Sequence, residues 1–232
     1  MTTTWNIDIP PADDQPVLRL VLVRHGQTSW NAHKLIQGHH GPGLNATGSA
    51  QAQAVARQLL ERFPTPDAVF SSDLSRCLDT AAPYINQLNV PLERDTRLRE
   101  IDNGDWSGHH TATIAVEHAE TIQRIRHGED VPRGNGETTG QLRARTRAFT
   151  HDLISRAAQH RYREFTAVAF SHGGAIRALF AEAFQLPGGL QLFGPVTNCA
   201  ISILHVYGSD TAVVAQYNQH PSAYHNHPSQ EP

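Results

Sequence analysis

Two short apolar runs, each ending directly in a histidine and a glycine, constrain the fold of this chain most strongly. The first, residues 17–23, leads into Arg24-His25-Gly26, and the second, residues 167–170, leads into Ser171-His172-Gly173-Gly174. Such runs of β-branched and aliphatic residues are typical of the buried central strands of parallel sheets. Ligands bind beyond the carboxyl ends of these strands, so both histidines are predicted to lie at one ligand site.

The rest of the chain alternates between helical and strand patterns. Helices are predicted from a cap at Thr47 to Pro64, from a cap at Ser72 or Asp73 to about residue 88, over 142–157 and over 175–184. Further strands are predicted at residues 68–71, 90–92, 200–206 and 212–217. This alternation predicts an α/β fold, a three-layer sandwich with a mostly parallel central sheet.

One segment, about residues 105–140, breaks the alternation. It is rich in Gly, His and Arg, and it carries only a weak helical pattern around residues 114–125. We interpret it as a helical cap inserted into a single domain that spans residues 17–220. Residues 1–16 and 221–232 are interpreted as an N-terminal and a C-terminal tail.

Composition excludes several functions and favours one kind of ligand. A net charge of −3 gives no reason to expect binding to nucleic acid or to a membrane surface. The longest apolar run is far shorter than the roughly 20 residues that span a bilayer. The two cysteines, Cys77 and Cys199, lack close spacing and residues 1–16 are polar, so we expect a cytoplasmic setting. Lys34 is the only lysine among 19 basic residues, and guanidinium groups suit phosphate or carboxylate.

The triplet at residues 24–26 joins a nucleophile to a positive charge. A neutral imidazole can attack phosphorus, and the adjacent guanidinium of Arg24 can neutralise phosphoryl oxygens that would otherwise repel the attack. The triplet alone is weak evidence, because chance supplies it in about 0.08 of shuffled chains of this composition. Its position after a buried strand strengthens the interpretation.

With its neighbours in the chain, the triplet resembles the motifs of the histidine phosphatase superfamily, also called the phosphoglycerate mutase-like family. The resemblance extends in order from residue 20 to about 202. Five motifs carry it: residues 24–28 with Asn31, Gln37 and Gly38; residues 71–77; 98–101; 136–138; and 170–174. Leu35 departs from the pattern, because the family often has an arginine there.

The resemblance implies a role for each matched residue. His25 would be the nucleophile, Arg24 and Arg76 would clamp the phosphate, Glu100 would be the general acid and base, and His172 would stabilise the transferring phosphoryl group. Asn31, Gln37, Gly38 and Gly173 would contact the substrate. The implied reaction is hydrolysis of a small phosphorylated metabolite without metal or cofactor. Whether the protein forms a homodimer stays open.

Other functions stay open as alternatives. A phosphoglycerate mutase would keep the phosphohistidine and pass it to a second hydroxyl; the mutases carry Tyr- and Lys-rich segments after the general acid, which residues 101–106 lack. A non-catalytic module that binds phosphorylated ligands should have lost one of His25, Arg76, Glu100 and His172. A serine hydrolase at residues 171–174 would need a G-x-S-x-G turn, which the sequence lacks.

Two further questions concern the histidines and the cap. A metal site would use His39, His40, His109, His110, His220, His225 and His227, but no acidic or Cys ligands accompany them at site-like spacing. The cap residues Arg124, Arg126, His127 and Arg133 could face the substrate or the solvent. If they face the substrate, a second anionic group such as a carboxylate is favoured.

Overall fold

A six-stranded sheet forms the middle layer of the protein in the computed structural model, which describes residues 17–160, 164–186, 190, 192–207 and 211–221. Its strands are β1 (Val17–Arg24), β2 (Ala68–Ser71), β3 (Leu92–Arg94), β4 (Phe165–Ser171), β5 (Ile201–Tyr207) and β6 (Thr211–Gln219). Their order is β3-β2-β4-β1-β5-β6. The first four pair in parallel, and β5 pairs antiparallel with β1 and β6.

Helices cover both faces of this sheet. They are α1 (Ser29–Ala32), α2 (Ala46–Arg62), α3 (Ser75–Ile85), α4 (Thr111–Glu117), α5 (Ala119–Arg126), α6 (Thr139–Ala157) and α7 (Gly173–Ala183). Short 3₁₀ turns lie at Thr96–Leu98 and Gly104–Trp106. Residues of α2 and α3 share one core cluster with the sheet, and residues of α6 and α7 share the other. The predicted three-layer α/β sandwich is confirmed.

Strand β1 is apolar from residue 20 to residue 23 because both of its faces are covered there. Leu20 and Leu22 point into the core cluster that holds Phe149 of α6, whereas Val21 and Val23 point into the cluster with α2 and α3. Successive side chains of a strand face opposite sides, so a central strand between two helical layers buries both sets. Fully burying a side chain of this size contributes about 1.5–3 kcal/mol.

Two predicted helix caps are wrong. Asn45, not Thr47, caps α2, and its side chain accepts a hydrogen bond from the Gly48 amide at 2.8 Å. Helix α3 follows Leu74 and has no side-chain cap, because the two expected capping residues have other partners. Ser72 contacts His172, and Asp73 forms an ion pair with Arg99.

Other boundaries also differ from the sequence prediction. Strand β3 covers Leu92–Arg94 instead of residues 90–92, and the cap contains two helices, α4 and α5, instead of one weak stretch. Helix α7 begins at Gly173, immediately after His172. The N-terminal tail and residues 222–232, with His225 and His227, lie outside the described residues. Among the helices described, none is long and apolar enough to cross a membrane.

Candidate active site

The carboxyl ends of β1 and β4 bring the two histidines together. These strands are neighbours in the sheet, and their register pairs Arg24 with Ser171. The residues that follow, His25 and His172, have ring centroids 5.2 Å apart. The chain folds this way locally because each apolar strand stops where the polar motif begins, at the sheet edge where α/β proteins bind ligands.

His25 is buried with one ring nitrogen engaged and the other available. Its Nδ1 lies 2.7 Å from the carbonyl oxygen of Gly26, which can only accept a hydrogen bond. The hydrogen is therefore assigned to Nδ1, and Nε2 keeps its lone pair. Burial, followed by the positive charges of Arg24 and Arg76, lowers the pKa of His25 well below its ordinary value. The ring is neutral at pH 7, the form in which imidazole is a nucleophile.

The glycine after His25 allows a helix to approach the site. A Cβ atom on Gly26 would lie 2.6 Å from the carbonyl oxygen of Gly48, in the first turn of α2. Only glycine fits so close an approach of two backbones. The Gly26 amide donates to Thr80 of α3 at 2.9 Å, so α2 and α3 both fix the His25 loop.

His172 is fully buried at the N-cap position of α7. Its Nε2 lies 2.9 Å from the Ser72 hydroxyl and 3.3 Å from the Cys77 thiol. Burial, followed by the charges of Arg76 and His25, lowers the pKa of His172 well below its ordinary value. A neutral imidazole there carries one N–H group, and the Ser72 hydroxyl can either donate to Nε2 or accept from it.

Arg24 and Arg76 place two guanidinium groups at the site, and no carboxylate of the described residues forms an ion pair with either. Arg24 donates to the carbonyl of Val196 at 2.6 Å, and Arg76 donates to those of Gly38 and His40 at 2.7 and 3.0 Å. The Nε of each is buried without a hydrogen-bond partner among the described residues. A buried donor without an acceptor is costly, so this arrangement favours a bound anion.

Glu100 lines the same cavity as His25, and two backbone amides anchor its carboxyl group. Its Oε1 accepts from the Ile101 amide at 2.9 Å, and its Oε2 accepts from the Gly174 amide at 3.0 Å. A Cβ atom on Gly174 would lie 2.2 Å from Oε1. Glycine at this position therefore lets the carboxyl group of Glu100 reach the first turn of α7.

An ion pair that sequence reasoning missed holds the loop of Glu100. Arg145 of α6 donates to the carbonyls of residues 97, 99 and 100 at 2.6–2.8 Å and forms two bonds of 2.8 Å with Glu137. Glu137 also accepts from the Asp102 amide at 2.9 Å. The 136–138 motif thus does more than begin a helix, although Thr138 does cap α6 as predicted. No sequence pattern links residue 145 to residue 100.

These groups open into a cavity of about 620 Å³. Its lining includes the polar site residues His25, Arg24, Arg76 and Glu100, together with Asn31, Gln37, Gly38 and Gly174. Its apolar lining comes mostly from the cap and includes Leu35, Trp106, Ile114, Ile122 and Ile125. Arg126, Arg133 and Arg177 also line it.

Some residues expected at the substrate have partners of their own. Asn31 closes the capping box of α1 with Thr28 and donates to Asn198 at 3.0 Å, and Gln37 accepts from the Thr28 hydroxyl. Asn198 in turn donates to the carbonyl of His25 at 2.9 Å. Gly173 and the fully buried His172 are not among the residues that line the cavity. Sequence reasoning did not identify Asn198, Gly174 or Arg177.

The histidines considered for metal binding are dispersed. His39 contacts the Glu100 carbonyl through its ring, and His40 contributes its own carbonyl to Arg76. His110 is the N-cap residue of α4. Within the described part of the chain, no group of three or more His, Cys, Asp or Glu side chains is placed to hold a metal ion.

Comparison with known proteins identifies the family. The sequence model of the histidine phosphatase superfamily (branch 1) matches residues 20–219. Glucosyl-3-phosphoglycerate phosphatase of Mycolicibacterium vanbaalenii is 36% identical over 176 residues, which cover 74% of this chain and 76% of that protein. The 2,3-bisphosphoglycerate-dependent phosphoglycerate mutase of Brucella canis is 32% identical over 201 residues, covering 85% and 96%.

A solved structure agrees with this assignment. The mycobacterial glucosyl-3-phosphoglycerate phosphatase in complex with VO3 superposes with a TM-score of 0.76 at 30% identity, covering 87% of this chain and 98% of that one. This chain belongs to the histidine phosphatase superfamily. Within the superfamily, these relatives support an enzyme of the phosphatase type.

Proposed function

We propose that the chain hydrolyses phosphomonoesters of small metabolites through a phosphohistidine intermediate on His25. One observation carries the proposal. The imidazole of His25 is buried and neutral, and no described residue bonds to its Nε2. It lies beside two guanidinium groups whose Nε donors have no partner among the described residues. This combination supplies a nucleophile and an anion site in one place, as phosphoryl transfer needs.

In the first half of the reaction, Nε2 of His25 attacks phosphorus in line with the ester bond. The N–P bond forms, the bond from phosphorus to the ester oxygen breaks, and the carboxylic acid of Glu100 gives its proton to that oxygen. Arg24 and Arg76 neutralise the equatorial phosphoryl oxygens, and they are already desolvated and oriented before the substrate arrives. The products are phosphohistidine and a free alcohol.

In the second half, the Glu100 carboxylate takes a proton from water, whose oxygen attacks the phosphohistidine. The N–P bond breaks, inorganic phosphate leaves and His25 returns to its neutral form. His172, whose ring lies 5.2 Å from that of His25, would donate a hydrogen bond to a phosphoryl oxygen. Helix α7 begins directly after His172, so the N–H groups of its first turn would also face the anion.

A phosphoglycerate mutase is the second candidate, because the similar relatives include a mutase of that kind. The two functions share the first half of the reaction and differ in the acceptor of the phosphoryl group. Water is the acceptor in a phosphatase, and a hydroxyl of phosphoglycerate is the acceptor in a mutase.

The test is a panel of phosphomonoesters, including 3-phosphoglycerate with and without 2,3-bisphosphoglycerate, scored for free phosphate and for isomerised product. We expect free phosphate from the wild type and none above background from His25→Ala. The matched control is His33→Ala, because His33 is exposed directly after helix α1 and its replacement should leave the rate unchanged. Isomerised product in excess of phosphate would favour the mutase, and full activity of His25→Ala would refute the mechanism.

We also propose that catalysis needs no metal, because guanidinium groups meet the phosphate charge in this arrangement. Dialysis against a chelator should leave the rate of p-nitrophenyl phosphate hydrolysis unchanged. A loss of activity that an added divalent cation restores would contradict this part of the proposal.

A further inference from the structure

Three arginines line the cavity without a part in the proposed mechanism. Arg126 is exposed, whereas Arg133 and Arg177 are partly buried. Arg133 lies in the loop between α5 and α6, and Arg177 lies in the first half of α7. The cap arginines differ in their surroundings, which the sequence left open. Arg124 is exposed and forms an ion pair with Glu129, so that its charge is already matched. Arg133 and Arg177 face the cavity instead.

Arg133 is the more constrained of the two. Its Nε is buried and has no hydrogen-bond partner among the described residues, as for Arg24 and Arg76 at the phosphate site. Burial lowers the pKa of Arg133, and the charge of Arg177 lowers it further, whereas Glu100 favours the charged form. A buried cation that lacks a bonded anion is a costly arrangement, and a ligand anion would relieve that cost.

Arg177 supplies a second guanidinium with little internal pairing. Among the described residues, its guanidinium donates long hydrogen bonds to two backbone carbonyls, those of Gly173 at 3.3 Å and Leu190 at 3.5 Å. Two guanidinium groups close enough to repel each other form a site for an anion that both can bind in a planar, two-bond arrangement.

The position of this pair relative to Glu100 indicates which part of a substrate it meets. Glu100 would protonate the leaving oxygen, so the alcohol part of the ester begins beside Glu100 and extends away from the phosphate. Arg133 and Glu100 line the same cavity, and the charge of Glu100 favours the charged form of Arg133. The anion that it binds would therefore be on the alcohol part, a few bonds from the ester oxygen.

We propose that Arg133 and Arg177 form a second anion subsite, which selects phosphomonoesters whose alcohol part carries a carboxylate. The assignment rests on the proposed phosphatase function, which supplies the orientation of the substrate. A carboxylate fits better than a second phosphate, because one negative charge satisfies the pair without placing a dianion beside Glu100.

The experiment compares 3-phosphoglycerate with glycerol 3-phosphate, two substrates that differ by a carboxylate against a hydroxymethyl group. In the wild type, kcat/KM should be at least about tenfold higher for 3-phosphoglycerate. Arg133→Met and Arg177→Met keep the aliphatic length and remove the charge, so each should lower the ratio of the two kcat/KM values by about 10- to 100-fold. Arg124→Met is the matched cap control and should keep the ratio.

Binding of glycerate, the dephosphorylated product, gives a second measurement that does not depend on turnover. Its dissociation constant, measured by calorimetry, should rise by about tenfold or more in Arg133→Met and stay the same in Arg124→Met. Equal wild-type efficiency on both substrates, a ratio insensitive to Arg133 and Arg177, or a preference for a second phosphate would overturn the subsite. Absence of any phosphate release, even from p-nitrophenyl phosphate, would instead refute the proposed function itself.

Discussion

Replacing Arg145 with Met should affect both the stability of the protein and one step of its chemistry. The substitution keeps a long apolar side chain but removes the bonds to the Glu100 loop and to Glu137. Burial opposes ionisation of Glu137, and Arg145 outweighs this effect and lowers the pKa of that carboxyl. The variant therefore leaves a partly buried carboxylate without its partner.

The size of the effect follows from the burial of this pair. Breaking a fully buried ion pair by removing one partner costs about 3–5 kcal/mol. The side chains of Arg145 and Glu137 are 17% and 21% exposed, so we expect a loss of about 2–4 kcal/mol after allowing for solvent screening. Urea unfolding of both proteins at pH 7 measures it.

The effect on chemistry should depend on the leaving group. Glu100 must protonate an alkoxide but contributes little to the departure of p-nitrophenolate, which is a stable anion. General acid catalysis supplies about 10²–10⁴-fold. If Arg145 positions Glu100, the variant should lose about 10- to 100-fold more kcat/KM on an alkyl phosphate than on p-nitrophenyl phosphate.

A second ion pair, formed by another arginine of α6, provides the control. Arg143 pairs with Glu182, and their side chains are 20% and 13% exposed. Glu182 keeps a second partner, Arg147 at 3.6 Å, so Arg143→Met should destabilise the protein somewhat less than Arg145→Met while changing kcat/KM on both substrates equally. Equal losses on the two substrates in Arg145→Met would refute the positioning role, and an unchanged free energy of unfolding would refute the energetic reasoning.

Two further predictions concern the backbone and the histidines of the site. Gly174→Ala would place a Cβ 2.2 Å from Oε1 of Glu100, so kcat/KM on alkyl phosphates should fall at least about tenfold; Gly173→Ala, whose nearest new contact is 3.6 Å away, should lose less. His25 and His172 stay neutral in the folded protein, whereas both would take up a proton in the unfolded chain below about pH 6.5. The free energy of unfolding should therefore be highest above this pH and fall by about 3 kcal/mol per pH unit below it, until the lowered pKa values of the folded state are reached. Urea midpoints between pH 7.5 and 5.5 measure this slope, which His172→Asn should roughly halve; an unchanged slope in that variant would contradict the assigned protonation.

Sequence predicted the parts of this molecule that depend on local pattern. The apolar runs of β1 and β4 predicted buried parallel strands, and their ends placed His25 and His172 at one edge of the sheet. The adjacency of these strands in the sheet then determined the 5.2 Å separation of the rings. These features follow from periodicity and from a general property of α/β sheets.

What the sequence could not predict depends on contacts between distant residues. Ser72 and Asp73 are good capping residues, yet His172 and Arg99 bind them in the folded chain. Arg145 looks like any helical arginine, although it holds the loop of residue 100. Whether a cap arginine faces solvent or the cavity likewise depends on how α4 and α5 pack, which the weak pattern of that segment does not determine.

The central claim, a covalent phosphoryl group on His25, can be measured directly. In Glu100→Gln the second half of the reaction lacks its base, so ³²P-labelled p-nitrophenyl phosphate, which needs no acid for departure, should leave phosphoenzyme to accumulate. We expect about one acid-labile, alkali-stable label per chain on the peptide that carries His25, and no label in His25→Ala with Glu100→Gln. Label on another residue, or turnover by Glu100→Gln that proceeds without any trapped label, would contradict the account.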